Sequence, residues 1–427
     1  MVFASSIYQS TFFMRLSHEY REQWSTSSKV LFRLLFIYFS LFLFFFVAGS
    51  LLTPILVKLG QAIGSEGRLE RFPTGSGDTT MAYLQLLFLA LITPPLTIIW
   101  SILDRKRPSY NQFFYWFLVI LRMFLILQMF IYGFAKIYKV QFPTTSLARL
   151  LMPIGDMSPM GLAWTYMGHS EGFNMFVGIM EVLGGLLLIP RRTQTLGAFI
   201  TIGVMTQVMM MNFFFDIPVK LLSAHLVIIA LIIFLADWKR FSQVFIKNET
   251  ASSLKYYEVS RDPHYKKLIF WFKVIVASIL IGLMCWQGYS RERSFGDKRE
   301  KPELYGIWEV STFVKNADTL PPLLTDQNRW RYLIVDRKGS ATIKYMTDKM
   351  VWYDFEVDKP NQSLSIYRKV DSTAVNTFKF ARRDSTLHID GIFYKDTLRV
   401  DFKAKDLSKI ELLNRGFHWV NETPYNR

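Results

Sequence analysis

The sequence contains a single cysteine, Cys285, among its 427 residues. An intrachain disulfide is therefore excluded, as are a CxxC redox pair and a zinc or iron–sulfur site held by several cysteines. Histidine is also scarce, and the spacing of His388 and His418 is not that of metal ligands. The sequence has no Ser/His/Asp triad, P-loop or dinucleotide-binding fingerprint. We therefore expect no metal site and no covalently bound cofactor.

The net charge of +16 first suggests nucleic-acid binding, but its distribution favours another partner. Residues 301–427 carry a surplus of only 4 positive charges, and residues 1–300 carry a surplus of 12. The basic residues of this first part cluster beside apolar segments, where Lys and Arg anchor helix ends and meet anionic lipid head groups. The predicted partner is membrane lipid, not nucleic acid.

Apolar runs of about 20 residues, the length that crosses a bilayer, occupy most of the first 290 residues. They predict about seven membrane-spanning helices, at residues 31–57, 81–103, 113–137, 173–189, 195–214, 219–236 and 268–286. Lys and Arg are concentrated before the first helix, after the second and fourth, and between the sixth and seventh. Because short basic loops stay in the cytoplasm, the N-terminus is predicted inside and the segment after residue 286 outside.

From about Tyr305 onward, apolar and polar residues alternate with the period of half-buried strands. Eight short strands are predicted, at residues 308–310, 332–335, 342–345, 351–353, 364–367, 377–380, 387–389 and 398–402. Turns are predicted at residues 338–339, 358–361 and 390–391. Many short strands indicate an antiparallel sandwich or small barrel, and the length of this part fits a closed barrel of about eight strands.

The predicted organisation has four parts. Residues 1–112 form an N-terminal segment with two spanning helices, and residues 113–240 form a four-helix core. Residues 241–298 form a basic cytoplasmic loop and the last spanning helix, and residues 299–427 form an extracytoplasmic β domain. The fold class is thus a polytopic α-helical membrane protein with a C-terminal antiparallel β-barrel.

A recognisable pattern of glycines and polar residues lies within residues 117–238. It consists of Gly133-Phe134-Ala135-Lys136, Glu181 with Gly184-Gly185, Pro190-Arg191-Arg192, and Asn212 with Asp216-Ile217-Pro218. This pattern resembles the DoxX family of small four-helix bacterial membrane proteins. The resemblance implies a bacterial inner (cytoplasmic) membrane, with the β domain in the periplasm. Members of that family have been linked to thiosulfate:quinone oxidoreduction and to membrane redox complexes in oxidative defence.

The start of the β domain has a second resemblance. Gly306-Ile307-Trp308 is similar to the Gly-x-Trp signature on the first strand of lipocalins. In that fold a late arginine packs over the tryptophan, and the resemblance implies Arg415 for this role.

Ionisable side chains inside the hydrocarbon layer cost on the order of 3 kcal/mol on insertion scales, so each one requires an explanation. Four polar residues are predicted at one level, in or near the outer half of the membrane, around a cavity that opens outward: Lys136, Glu181, Asn212 and His225. Tyr132 lies one turn before Lys136 on the same helix face and is the fifth predicted site residue. The apolar loop at residues 146–167 is interpreted either as a lid over this cavity or as a surface helix resting on lipid.

Lys136 and Glu181 allow more than one interpretation. They form either a structural ion pair between two helices or part of a site for a quinone, a lipid head group or another amphipathic ligand. In the second case His225, with an ordinary pKa of about 6.5, could exchange a proton with the ligand. Lys136 could also extend to the membrane surface, as lysines near helix ends often do.

The leading hypothesis is a protein that binds a quinone-like or lipidic ligand in the helical bundle and a ligand or partner at its periplasmic barrel. Two alternatives remain. The first is a membrane subunit of a quinone-linked oxidoreductase, which needs a redox partner on the periplasmic side. The second is a non-enzymatic scaffold that recruits envelope proteins. Enzymatic turnover stays open.

Overall fold

The computed structural model describes residues 20–71, 74–251, 257–260, 262–368 and 371–426, with the side chains of residues 371–374 left aside. The chain divides into two compact units. The helical unit combines the described residues up to Gln141 with Gly172–Tyr289. The barrel unit combines Phe142–Glu171 with the described residues from Ser290 onward.

The helices of the protein begin and end close to the predicted positions. They are α1 (Thr26–Ala48), α2 (Thr53–Ala62), α3 (Thr80–Leu103), α4 (Asn111–Ile137), α5 (Leu147–Leu150), α6 (Pro159–His169), α7 (Glu171–Leu188), α8 (Gln194–Phe214), α9 (Lys220–Leu235), α10 (Trp238–Phe245), α11 (Pro263–Ser294) and α12 (Glu411–Asn414). Six helices of the described residues are long and apolar enough to cross a membrane, or seven if the bent pair α9–α10 is one span. The predicted helical membrane part is confirmed.

Three of the predicted spans extend well beyond their windows, and the seventh, predicted at residues 268–286, is α11 (Pro263–Ser294). The first runs through a 3₁₀ turn at Gly49–Leu52 into α2, where Pro54 occupies the first turn, a position that tolerates a missing N–H. The sixth continues from α9 into α10 across a bend of 73°. The N-termini of α1 and α3 are capped by side chains. The hydroxyls of Ser25 and Thr79 accept hydrogen bonds from backbone N–H groups in the first turns of α1 and α3, respectively.

A buried arginine joins α1 to the connection between α3 and α4. The Arg33 guanidinium donates to the Tyr110 hydroxyl (2.8 and 2.9 Å), to Ser101 Oγ (2.9 Å) and to the Asp104 carbonyl oxygen (3.0 Å). The Tyr110 hydroxyl in turn donates to Asp104 Oδ2 at 2.7 Å. These acceptors satisfy the N–H donors of the Arg33 guanidinium, a cation that would otherwise be costly to bury.

The β domain is a closed antiparallel barrel of eight strands. The strands are β1 (Gly306–Lys315), β2 (Asp318–Thr319), β3 (Trp330–Arg337), β4 (Gly339–Tyr345), β5 (Met350–Asp358), β6 (Ser363–Arg368), β7 (Asp371–Arg383), β8 (Thr386–Phe393) and β9 (Asp396–Ala404). Each strand from β3 to β9 pairs with its sequence neighbour, and β9 pairs with β1, which closes the sheet. The two-residue β2 only extends β1. All eight predicted strands lie within barrel strands.

Apolar side chains fill the barrel interior. One core cluster joins residues from all eight barrel strands, and its largest members include Trp308, Trp330, Phe313, Phe378 and Phe402. A filled interior of this kind is typical of small barrels. The interior of this barrel is therefore occupied by its own side chains, whereas a ligand-binding barrel leaves a cavity there.

Two details of the predicted barrel were wrong. Asp390 and Gly391 do not form a turn, because they lie inside β8, where Gly391 is paired with Phe378. A Cβ at Gly391 would collide with the Thr377 carbonyl oxygen of β7, so glycine permits close strand approach here instead of a turn. The arginine over the Trp308 ring is Arg382, at 5.4 Å from the ring centre. Arg415 instead stacks on Tyr425, because the chain after β9 places it in the C-terminal segment.

The segment Phe142–Glu171 belongs to the barrel unit, so it interrupts the predicted four-helix segment 113–240. Leu147 and Ala148 pack against Ile307, Tyr332 and Ile334. Leu147 and Ala148 therefore cover part of the outer face of the barrel, whereas Ile154, Leu162 and Tyr166 of the same loop are exposed. The interpretation of the loop as a lid or a helix on lipid stays a prediction.

A buried lysine anchors this segment on the barrel. Lys344 Nζ donates to the Leu151 carbonyl oxygen at 2.6 Å. The same ammonium pairs with Asp348 at 2.8 Å, and its hydrogen bond holds the pKa of that carboxyl below the ordinary value.

We expect Trp308→Ala to destabilise the barrel by about 3–5 kcal/mol, because it removes a large buried side chain. The Trp308 ring is 1% exposed, and its indole N–H donates to the Leu304 carbonyl oxygen at 2.9 Å. The matched control is Trp352→Ala, since the Trp352 side chain is 61% exposed and should contribute less than about 1 kcal/mol. Denaturant unfolding of residues 299–427 measures both changes. Equal losses for the two variants would contradict the assignment of Trp308 to the core.

Candidate functional site

Helices α4 and α7 approach each other at two glycines. A Cβ on Gly133 would lie 2.8 Å from the Gly178 carbonyl oxygen, and a Cβ on Gly178 would lie 2.6 Å from the Gly133 carbonyl oxygen. Only glycine permits this approach, because any larger residue would collide with the opposite backbone.

The polar pair Lys136–Glu181 lies three residues beyond each of these glycines. Lys136 Nζ lies 2.8 Å from Glu181 Oε1 and 3.0 Å from Glu181 Oε2. The two side chains are 2% and 1% exposed, so Lys136 does not extend to the surface. Burial of both partners means that each charge depends on the other. This geometry favours the structural interpretation of the pair.

A cavity of about 460 Å³ lies beside this contact, within the helical unit. Tyr132 and His225 line it together with three phenylalanines of α1, Phe42, Phe45 and Phe46. Lys136, Glu181 and Asn212 are not among its lining residues. Two of the five predicted site residues are thus brought into one cavity, and the other three are not.

Tyr132 connects the cavity to the ion pair. Lys136 Nζ lies 5.7 Å from the centre of the Tyr132 ring, close enough for a cation–π contact. Among the described residues, no hydrogen-bond partner is found for the Tyr132 hydroxyl, which leaves it able to donate to a molecule in the cavity.

His225 is held by protein partners at both ring nitrogens. Nδ1 lies 2.6 Å from the Leu221 carbonyl oxygen, and Nε2 lies 2.7 Å from the Tyr38 hydroxyl. A carbonyl oxygen can only accept, so Nδ1 carries the proton and Nε2 accepts from Tyr38. The ring also stacks on Phe42, with 4.1 Å between ring centres. The orientation of His225 is therefore fixed, and its ring lines the cavity with the Tyr38 hydroxyl on Nε2.

Asn212 stabilises a turn instead of binding in the cavity. Its Nδ2 donates to the Val219 carbonyl oxygen at 3.4 Å, across the connection between α8 and α9. Asp78 caps the N-terminus of α9 in the same region. Its carboxylate accepts hydrogen bonds from the backbone N–H groups of Lys220 and Leu221.

Arg71 supplies the guanidinium among the residues that line the cavity, and the sequence did not predict it as a site residue. Its guanidinium donates to Gln85 Oε1 (2.9 Å) and Thr53 Oγ1 (3.2 Å), both neutral groups. Arg71 and Asp78 lie in a loop outside the apolar windows, where residue type alone indicates only a solvated charge. Their role follows from the folding of this loop beside α9, which places Gly77 N–H on the Pro218 carbonyl oxygen at 2.8 Å.

The comparisons with known proteins bear on this chain as follows. The uncharacterized protein YwoB of Bacillus subtilis (strain 168) is 32% identical in sequence to this chain over 133 residues. The aligned residues represent 29% of this chain and 79% of YwoB. The chain belongs to the family of YwoB. No family model and no solved structure matches it. The name of this relative states no activity.

Removing one partner of the buried pair should be strongly destabilising. We expect Lys136→Met to lower the free energy of unfolding by about 3–5 kcal/mol, because it leaves the Glu181 carboxylate buried without its cation. The double variant Lys136→Met/Glu181→Leu should recover most of this loss, since it removes both charges together. Detergent-titration unfolding of the purified protein provides the measurement. If the double variant is no more stable than the single one, a second partner or a ligand must depend on Glu181.

Proposed function

We propose that this protein binds a quinone-like or lipidic molecule in the cavity lined by Tyr132 and His225. The observation that carries the proposal is the composition of this cavity: an aromatic wall, a free hydroxyl, an oriented imidazole and one guanidinium. Small-molecule pockets of about 300–1,000 Å³ are mostly apolar with a few placed polar groups, and 460 Å³ falls within this range. A quinone ring or a compact lipid head fits this combination.

The role of each side chain follows from its contacts. Phe42, Phe45 and Phe46 provide an apolar surface for a ring or chain, and the Tyr132 hydroxyl donates to a carbonyl or phosphate oxygen. Arg71 adds a cation for an oxygen that carries negative charge. His225 contributes an aromatic edge to the cavity wall, and its ring nitrogens are held by the Leu221 carbonyl oxygen and the Tyr38 hydroxyl. Proton exchange with a quinone would require one of these two hydrogen bonds to open.

The resemblance to the DoxX family adds to this proposal the bacterial inner membrane and, as an alternative, a role as the membrane subunit of a quinone-linked redox complex. In that alternative the electrons come from a partner protein on the periplasmic side. Co-purification of a flavin- or haem-containing protein would favour it.

The barrel supports a second function, the recruitment of a protein partner. Its interior is occupied by its own side chains, which favours a docking role over ligand storage. Exposed apolar residues in the segment after β9, namely Phe417, Trp419 and Val420, offer a surface for such a partner. This is the scaffold alternative, and it is compatible with a ligand in the bundle.

Mass spectrometry of lipophilic molecules that co-purify with the protein tests the cavity. We expect one class of quinone or lipid to be enriched with the wild type and lost with Ala82→Phe, because Ala82 lines the cavity and a phenyl group would fill it. Tyr132→Phe should weaken retention about two- to tenfold, the effect of one neutral hydrogen bond.

The matched control for this experiment is Ala90→Phe, on the exposed side of the same helix α3, which should retain the ligand. The same mixture of lipids in all four proteins would disprove the cavity site. Retention by the charge-free variant Lys136→Met/Glu181→Leu would assign the ion pair to structure alone.

The proposed orientation places the N-terminus in the cytoplasm and the barrel in the periplasm. With Cys285 replaced by serine, we expect Lys395→Cys in the barrel to react with a membrane-impermeant maleimide in cells whose outer envelope has been opened. Thr250→Cys, between α10 and α11, should react only after the inner membrane is permeabilised; both positions are exposed. The reverse pattern would invert the topology.

A further inference from the structure

A second pocket in the helical unit has a different chemistry. This groove, of about 280 Å³, lies between α4 and α11. Its walls are apolar and aromatic, with Trp116, Ile126, Phe272 and Leu280 among them, and its charged lining residues are Arg122 and Lys273. No Asp or Glu lines it among the described residues. The groove thus combines an apolar slot with two cations.

Arg122 is nine-tenths buried and lacks a carboxylate partner in the described part of the chain. Its Nη1 donates to the neutral Gln194 Oε1 at 2.6 Å. Its Nε is buried without a hydrogen-bond partner among the described residues. A buried guanidinium with an unsatisfied N–H is costly, and the cost falls if an anion binds there.

Lys273 adds a second charge of the same sign. It is half-buried, and no ion pair or hydrogen bond to its ammonium is found among the described residues. Arg191 lies close enough to act electrostatically on both Arg122 and Lys273. Mutual repulsion of these cations favours an anion between them.

We propose that this groove binds an anionic lipid, with its phosphate or carboxylate oxygens on Arg122 and Lys273 and its hydrocarbon tail along the apolar walls. The choice of a lipid follows from α11, because the apolar window of this helix has none of its residues buried. A tail can therefore enter the groove from the hydrocarbon layer. Guanidinium and ammonium groups are the usual partners of phosphate and carboxylate oxygens in proteins.

This site is separate from the cavity of the proposed function. Tyr132 follows Arg122 by ten residues on α4, about 15 Å along the helix axis. Neither Arg122 nor Lys273 lines the cavity around Tyr132 and His225. Either site can therefore be disproved without affecting the other.

The test compares phosphatidylglycerol with phosphatidylcholine of the same acyl chains, titrated into the full-length protein in mixed micelles. A lipid that binds only the folded state raises the midpoint of thermal unfolding. We expect phosphatidylglycerol to stabilise the wild type more than phosphatidylcholine does. Arg122→Gln and Lys273→Gln should each weaken the apparent affinity for phosphatidylglycerol about tenfold or more, the effect of one charge-assisted hydrogen bond.

Two controls make the test specific. Lys267→Gln removes an exposed lysine of the same helix outside the groove and should leave the affinity unchanged. Ala277→Phe places a ring in the groove and should abolish the effect, whereas Ser278→Phe, at the exposed neighbouring position, should not. If Arg122→Gln does not fold, Lys273→Gln and Ala277→Phe still decide the outcome.

Three results would overturn the proposal. Equal stabilisation by the two lipids would show that charge is not recognised. An unchanged affinity of Lys273→Gln and Ala277→Phe for phosphatidylglycerol would place the lipid elsewhere. Stabilisation by inorganic phosphate alone, equal to that by phosphatidylglycerol, would identify a site for a free anion instead of a lipid.

Discussion

The contact between the backbones of α4 and α7 is the constraint on which the helical unit depends. Gly133 and Gly178 each face the other's carbonyl oxygen at a distance that a Cβ could not tolerate. This approach brings Lys136 and Glu181 into a buried pair, and the same turn of α4 directs Tyr132 into the cavity. A substitution at either glycine would therefore separate α4 from α7 and alter the cavity wall at Tyr132. It would also separate the charges of Lys136 and Glu181 in a medium of low dielectric.

Helix α4 carries both candidate sites, and the two differ in how their polar groups are satisfied. Around Tyr132 the ionisable groups have partners: Lys136 has Glu181, and His225 has Tyr38 and Leu221. Such a site suits a polar ligand with oxygen acceptors, and its one guanidinium, Arg71, is hydrogen-bonded to the neutral Gln85 and Thr53. Around Arg122 the charge is uncompensated within the described residues, and such a site suits an anion. The unsatisfied N–H of the buried Arg122 thus distinguishes the groove from the cavity.

The barrel gains its stability from closure and from a filled interior. Pairing of β9 with β1 removes the sheet edges that would otherwise be open to aggregation. Trp308 and Trp330 occupy the core with phenylalanines from several strands, which leaves the outer surface as the part available to partners. The segment Phe142–Glu171 covers some of that surface through Leu147, Ala148 and the hydrogen bond from Lys344 to Leu151.

Sequence periodicity by itself predicted the long apolar helices and the eight barrel strands, because runs of apolar residues and period-two alternation reflect burial directly. It also identified Lys136, Glu181 and His225 as polar residues in apolar surroundings, since insertion into a membrane makes each of them conspicuous. Only the tertiary structure decided which of these share a cavity, that Arg71 and Asp78 belong to the region, and that Arg382 covers Trp308. Those outcomes depend on contacts between residues far apart in the chain, such as the 142 positions that separate Asp78 from Lys220, and local pattern carries no information about them.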